Sequence, residues 1–475
     1  MTRSVKINPD RKQQVISAIE RNGFLTQGGL AAHLGIALST VSNFINSKPV
    51  FVSTFELICE NLNLDQREIR KPIKSDSDTS PEDSTSPQGF YAYDNAWVGR
   101  EKLVAELSQK LRGSCRLLLV LGLTGIGKTA LAERLAVQLQ DWFSGDWKNK
   151  LRRANFDYED KATDFASVAS RWLEEWGERL SAEDKKPEQL LQRLVKRLRE
   201  NRYLVLIDSL EYLLTGNEED GWGDFADEWW GKFFVSLFAE SSCQSRFILT
   251  SQDLPTKFEA ECDRYKNLWY CQLLKGLEVP EQMALFQKAE LDGDLELPDS
   301  PLRVIGEVYD GHPLALRTIA GEIKGSYGGN VRAYWKDNSR YIEEVKEAID
   351  EARNQGIVQG DEDRWQLASY TTVLRRKVNE RIEKTFDRLK KDVYDAYFLF
   401  CMASIYRCEV KEKWWLINLE DEGYSEERQK AAMQTLRDRY LVEDGKIDDE
   451  DNRLVGQHNL IRTVAIAHRL KLPEN

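Results

Sequence analysis

The sequence predicts a multidomain chain: an all-α module at the N-terminus, an α/β domain built on a parallel sheet, and a largely helical remainder. Three observations predict it. Residues 75 to 88, SDSDTSPEDSTSPQ, hold no apolar side chain and set a small head apart from everything after Tyr91. Apolar runs at Leu117–Leu121, around Asn155–Tyr158, at Tyr203–Ile207 and at Arg246–Thr250 alternate with amphipathic helical stretches, the pattern of a parallel sheet with helices on both faces. From about Gly276 the strand signals mostly stop, and Leu, Ile, Val, Phe and Trp recur at helical spacing among charged residues.

Composition bounds the rest. A chain of 475 residues with 41% hydrophobic and 31% charged residues has enough apolar content for several cores. No apolar run approaches the ~20 residues of a membrane span, and the polar start Met1–Gln14 does not read as a secretory signal. Seven cysteines, an odd count without CxxC spacing, argue for reduced thiols and against a disulfide framework or zinc site. A cytoplasmic protein with no membrane partner is expected. The net charge of −12 is uneven: through Lys74 ten Lys/Arg oppose six Asp/Glu, giving +4, so the remainder carries −16. A basic head on an acidic body suits a head that touches nucleic acid.

In the head, helices are expected from Pro9 to Arg21, Thr26 to Leu34, Leu38 to Asn46 and Ser53 to Leu62, with a break at Gly35. Their inward residues are Leu30, Ala31 and Leu34, then Val41, Phe44 and Ile45, then Phe55, Ile58 and Cys59. Two short helices around a Gly turn, packed by flanking helices, follow the helix-turn-helix plan.

Past the tether, Gly122-Leu123-Thr124-Gly125-Ile126-Gly127-Lys128-Thr129 fits GxxxxGK[ST] at every position. It follows an apolar strand and opens a helix from Lys128 to Gln140. Glycines let backbone N–H groups turn inward around phosphates, and the helix N-terminus adds partial positive charge. Lys128 is the candidate for the β/γ-phosphates and Thr129 for Mg²⁺; Ile126 and Ala130 complete the loop and first turn. The apolar strand Leu204–Ile207 ends in Asp208, the expected Mg²⁺-side carboxylate. Ser209 follows where hydrolases often place a second carboxylate, which leaves Glu211 as the nearest base and implies slow hydrolysis. Lys128, Asp208 and Glu211 are thus the catalytic candidates, ATP/ADP the expected ligands, and Thr129 and Asp208 the metal ligands.

Four further segments stand in a recognisable order: Val98-Gly99-Arg100-Glu101, Ser245 through Ser251, Gly311-His312-Pro313-Leu314-Ala315-Leu316, and Gln457-His458-Asn459-Leu460-Ile461. Together with the phosphate loop they resemble the NB-ARC subfamily of STAND nucleotide-switch ATPases, an NLR-like class. The resemblance implies a P-loop NTPase domain over 95–275, a helical domain over 276–375 and a winged-helix domain over 376–475. It implies that Val98 and Arg100 lie at the adenine and ribose side, that Pro313 packs on the adenine edge, and that His458 reaches the ADP β-phosphate and holds a closed form. It also implies a homo-oligomer on activation. Two positions depart from the family: Asn459 replaces the usual Asp of the latch, and Gln252 the usual Arg of the sensor strand. Members often carry a C-terminal repeat array; the chain ends soon after the latch, so the expected trigger is an unknown protein partner, an unrecognised surface or the nucleotide balance itself.

Residues 25 to 64 resemble the Xre/Cro-type helix-turn-helix, giving domains of 1–74 for the head and 75–94 for a flexible acidic linker. That match implies that Ser39, Thr40 and Asn43 face base edges and that Thr26, Gln27 and Lys48 sit near phosphates. A Trp-rich stretch with Trp222, Trp229 and Trp230 reads as helix packing or as a contact surface. The resulting expectation is an ATP/ADP-dependent switch with a DNA-binding head, a transcriptional regulator that assembles on nucleotide exchange. The alternative is an immune or stress-signalling ATPase whose head recruits proteins.

Overall fold

A computed structural model describes residues 97–143, 147–156, 163–217, 221–255, 262–291, 299–355, 363–447 and 453–472, with scattered positions between Ser4 and Leu62. The chain divides into two units, 1–85 and 86–475.

In the first unit, helical positions Leu30, Val41, Phe44, Ile45, Phe55, Ile58 and Cys59 are buried, as their spacing predicts. The Phe44 and Phe55 rings meet edge-on at 5.2 Å. The head is not purely α-helical: β1 (Ser4–Val5) pairs antiparallel with β2 (Val50–Phe51). Strands of two residues leave no periodicity for a sequence reading to find. Thr26, Gln27, Ser39, Thr40, Asn43 and Lys48, and the tether, lie outside the described residues.

The second unit is built on a five-stranded sheet of β3 (Leu117–Leu121), β4 (Leu151–Asn155), β5 (Leu204–Asp208), β8 (Arg246–Ser251) and β9 (Trp269–Leu273). The order is β4-β5-β8-β3-β9 and every pairing is parallel. Alternate residues serve opposite faces. Leu118, Val120, Leu204, Leu206 and Ile248 pack with α1 (Glu101–Arg112) and α2 (Lys128–Gln138). Leu117, Leu119, Val205, Ile207, Phe247 and Leu249 face α3 (Phe165–Glu175), α4 (Pro187–Glu200) and α5 (Glu228–Ala239). Burial on both faces is why the three central strands read as unbroken apolar runs.

The edges differ from expectation for the same reason. β4 reads LRRAN and lies a few residues before the expected Asn155–Tyr158 run; β9 reads WYCQL and is not among the expected strands. Both are partly exposed and so need no continuous apolar sequence. After β5 a hairpin of β6 (Leu214–Asn217) and β7 (Gly221–Phe225) leads to α5. There Trp230 is core: its ring lies 5.7 Å from Phe156 and 5.5 Å from Phe165, and its Nε1 donates to the Thr163 carbonyl. Trp229 is half-buried, with Lys232 Nζ 4.1 Å above its ring. The packing reading of the Trp-rich stretch thus holds for Trp230.

The remainder contains α6 (Val279–Lys288), α7 (Pro301–Val308), α8 (Pro313–Tyr327), α9 (Val331–Gln355), α10 (Asp363–Asp392), α11 (Tyr394–Ala403), α12 (Glu412–Asp421), α13 (Glu426–Asp438) and α14 (Asn459–Arg469). One apolar core runs through them from Leu277 to Ala465. Within that core Glu322 of α8 pairs with Arg381 of α10, both buried. A small antiparallel sheet, ordered β10-β12-β11, is formed by β10 (Val410–Lys411), β11 (Glu443–Ile447) and β12 (Arg453–Gly456). These strands are short, which is why the sequence signal fades after Gly276. Among the described residues no helix is long and apolar enough to cross a membrane.

Candidate nucleotide site

β3 ends in the loop Gly122–Gly127, and α2 begins at Lys128 with no side-chain cap and no acidic residue in its first turn. The loop demands glycine at two points. Gly125 and Gly127 have φ of +81° and +97°, a region costly for residues with a Cβ. A Cβ at Gly125 would stand 2.8 Å from the Leu314 side chain, and one at Gly127 2.9 Å from Arg100 Nη1. The bare loop lets other elements close directly onto the helix terminus, where backbone N–H groups and the helix dipole favour an anion. Lys128 Nζ donates to the carbonyls of Gly122 (2.9 Å) and Leu123 (3.1 Å), which holds its charge over the loop.

The sheet order sets the next layer. β8 lies between β3 and β5, so Thr250 at its end falls between the loop and Asp208. Asp208 Oδ1 accepts from Thr129 Oγ1 at 2.9 Å and from Thr250 Oγ1 at 2.5 Å, and Asn155 Nδ2 donates to Oδ2 at 3.5 Å. One carboxylate with hydroxyls and an amide around it is a hard, all-oxygen donor set, compatible with Mg²⁺ held mainly by phosphates and water. Thr129 and Asp208 are the residues that would hold it. Among the described residues no group of three His, Cys, Asp or Glu gathers as a metal cage, and a phosphate-bound Mg²⁺ does not need one.

Ser209 has φ of +61°, and its N–H donates to Thr250 Oγ1 at 3.0 Å. This kink turns the chain into the short helix Leu210–Leu213 and brings Glu211 back to the site. Glu211 is buried, and its Oε2 accepts from the Gln252 N–H at 3.3 Å. Burial raises its pKa, while the nearby Lys128 charge pulls it down. Burial outweighs that pull, so the Glu211 carboxyl stays above the usual carboxylate range.

These groups line a cavity of about 320 Å³. Val98, Leu277, Leu285, Pro313 and Leu314 are its apolar lining. Lys128, Thr129, Asp208, Glu211 and Gln252 form a polar wall, and Gly456, His458 and Arg462 line it from β12, α14 and the turn between them. Arg153, paired with the buried Glu133 of α2, also lines it. Arg100 also lies here. Its N–H donates to Glu281 Oε1 at 2.5 Å and its Nη2 to the Lys275 carbonyl at 2.9 Å; burial lowers its pKa to about 10.

The sequence did not single out His312 as a site residue. It is buried, caps α8 by accepting from the Ala315 N–H, and its Nε2 lies 3.1 Å from the Thr124 carbonyl. It therefore ties α8 to the phosphate loop, and its signal was available: the chain holds only four histidines. Arg317, one turn beyond Pro313, also lines the cavity. His458 caps α14, with Nδ1 accepting from the Leu460 N–H at 3.2 Å. Asn459 Nδ2 donates to Tyr212 Oη at 3.5 Å.

Burial lowers both His312 and His458 to about 4, with Lys128 adding repulsion in each case. Their folded pKa lies below the unfolded value, so the unfolded chain takes up more protons as pH falls. Stability is therefore full above pH 6.5 and is lost between 6.5 and about 4. A fall from 6.5 to about 4 in His312 corresponds to roughly 3 kcal/mol. His312→Asn keeps a capping side chain and should flatten the acid limb of a stability–pH curve measured by urea unfolding. An unchanged slope between pH 6.5 and 4 would show that His312 is not held neutral.

Residues 96–228 match a family described as "AAA ATPase domain". The chain is 26% identical over 352 residues to an uncharacterized WD repeat-containing protein of a Nostoc species, covering 68% of this chain and 27% of that protein. It thus spans about a quarter of that relative's length. A STAND protein with a tetratricopeptide repeat sensor from Pyrococcus horikoshii superposes with a TM-score of 0.42 at 13% identity, over 78% of this chain and 42% of that one. The ORC1 protein of Aeropyrum pernix, solved in complex with DNA, gives 0.31 at 15% identity, over 81% and 98%. The segment that carries the phosphate loop, Asp208 and Glu211 is therefore similar to AAA ATPase domains.

Proposed function

We propose that the chain is an ATP/ADP-dependent switch ATPase of the STAND, NB-ARC-like kind, in which a nucleotide joins the parallel-sheet core to the C-terminal segment. One observation carries this reading: a single cavity is lined by Lys128, Thr129 and Asp208 from the core, by Pro313 and Arg317 from α8, and by His458 and Arg462 from the C-terminal segment. A nucleotide in it would have Val98 and Pro313 at its base and the loop from Gly122 to Ala130 at its phosphates. When bound, Mg²⁺ would supply charge neutralisation at those phosphates. His458, neutral and capping α14, would donate to a diphosphate and hold the segment closed. An ATP γ-phosphate would disturb that packing and permit assembly.

Two features favour switching over steady turnover. No carboxylate follows Asp208 directly, and the candidate base Glu211 is buried and engaged by Gln252. Purified protein is expected to carry bound ADP or ATP and to turn over well below 1 s⁻¹, under the ordinary enzyme range. Multiple-turnover hydrolysis at tens per second would contradict the switch.

The head completes the proposal as a DNA-binding module of a transcriptional regulator, on the strength of its +4 charge and its buried helical positions. Capture of duplexes from a random-sequence pool by the full chain should enrich a sequence and should weaken steeply with salt. Recovery of no enriched duplex at low salt would move the head to protein recruitment.

A further inference from the structure

β8 ends at Ser251, and the next residue, Gln252, lines the cavity beside Glu211 and Thr250. Its two polar ends are used differently. Its backbone N–H donates to Glu211 Oε2, while its side-chain Oε1 accepts from Arg375 Nη2 at 3.1 Å. Arg375 belongs to α10, the long helix that crosses the C-terminal half and carries Arg381 into the pair with Glu322. A direct hydrogen bond thus joins the end of a core strand to a helix 123 residues away, at the wall of the cavity where Asp208, Thr250 and Glu211 meet.

Amide chemistry gives this bond a direction. With Oε1 committed to a guanidinium, the Nε2–H₂ group is the donor end of Gln252, and a hydrogen bond to a cation polarises the amide and strengthens that donor. A neutral glutamine on its own discriminates weakly between a diphosphate and a triphosphate. A glutamine backed by a fixed positive charge does so more strongly, because the third phosphate adds negative charge next to it.

We propose that Gln252 and Arg375 together form a composite reader of the γ-phosphate, in which Arg375 acts as a positioning residue through Gln252 and couples the triphosphate to α10. This rests on the cavity being the nucleotide site proposed above. By reciprocity, whatever preference Arg375 gives the site for triphosphate over diphosphate, the triphosphate returns as a preference for the clasped position of α10.

The test uses the full chain and measures affinities for ADP and for a non-hydrolysable ATP analogue, both with Mg²⁺. The readout is the ratio of the two affinities, which a merely structural loss would scale together. Arg375→Ala should lower the ratio, analogue over ADP, by about tenfold, the scale of one charge-assisted hydrogen bond. Arg375→Lys should recover part of it. Gln252→Ala should give a similar drop, and the double variant no further drop, since both changes remove one interaction. Thermal melts of each variant establish folding, and Arg375→Lys together with Gln252→Ala carries the test if Arg375→Ala does not fold. An unchanged ratio in Arg375→Ala, or additive losses in the double variant, would overturn the composite reader while leaving the nucleotide site standing. Absence of nucleotide binding by the unaltered chain would overturn both.

Discussion

Lys128→Ala is expected to weaken ADP and ATP binding at least ~100-fold, because it removes the cation that we propose for the β/γ-phosphates from a partly buried site. In the folded chain the Lys128 ammonium is held by two loop carbonyls, those of Gly122 and Leu123. It is not a core side chain, so its loss should leave the thermal midpoint of the nucleotide-free protein within a few degrees of the parent. The repulsion it exerts on His312 and His458 should also fall, which would raise both pKa values. Fluorescent-nucleotide titration checks the affinity and a melt checks the fold. Undiminished binding by a folded variant would remove the phosphate-loop assignment.

Asp208→Asn should have the second large effect. Asp208 accepts from Thr129, Thr250 and Asn155 at the point where β5 and β8 end. Asparagine keeps the volume but removes the charge and turns one acceptor into a donor, which sets it against either the Asn155 amide or the two hydroxyls. We expect hydrolysis to fall at least ~100-fold, and affinity for an ATP analogue to lose its dependence on Mg²⁺. A metal contributes several kcal/mol of charge stabilisation to phosphoryl transfer. Titrations with and without a chelator measure this directly. A variant whose affinity still rises with Mg²⁺ to the parental extent would place the metal ligand elsewhere.

The parts of the molecule that were legible in the sequence are those whose physics is local. Leu117–Leu121, the glycines of the loop and the strand ending in Asp208 each announce themselves, because two-sided burial and left-handed backbone both restrict residue choice. The edge strands Leu151–Asn155 and Trp269–Leu273 did not, since a half-exposed strand tolerates Arg152, Arg153 and Gln272. At the site, Lys128, Thr129 and Asp208 were found by spacing, whereas Arg317 and Thr250 line it, and His312 meets its loop, only because the chain folds back. Spacing alone does not show that His312 approaches Thr124, 188 positions earlier. The bond between Gln252 and Arg375 is the same kind of case: the sequence showed an unusual glutamine but not the arginine behind it.

The central claim is that one nucleotide, in one cavity, holds the C-terminal segment against the parallel-sheet core. Hydrogen–deuterium exchange of the full chain tests it most directly, because Gly456 at the end of β12, His458 at the cap of α14 and Arg462 within α14 all line the cavity. With saturating ADP, peptides covering residues 453–472 should be protected. Replacing ADP with a non-hydrolysable ATP analogue should speed their exchange about tenfold or more, while β3 and α2 stay protected in both states. Equal exchange of 453–472 with the two nucleotides, in a chain shown to bind both, would contradict the switch.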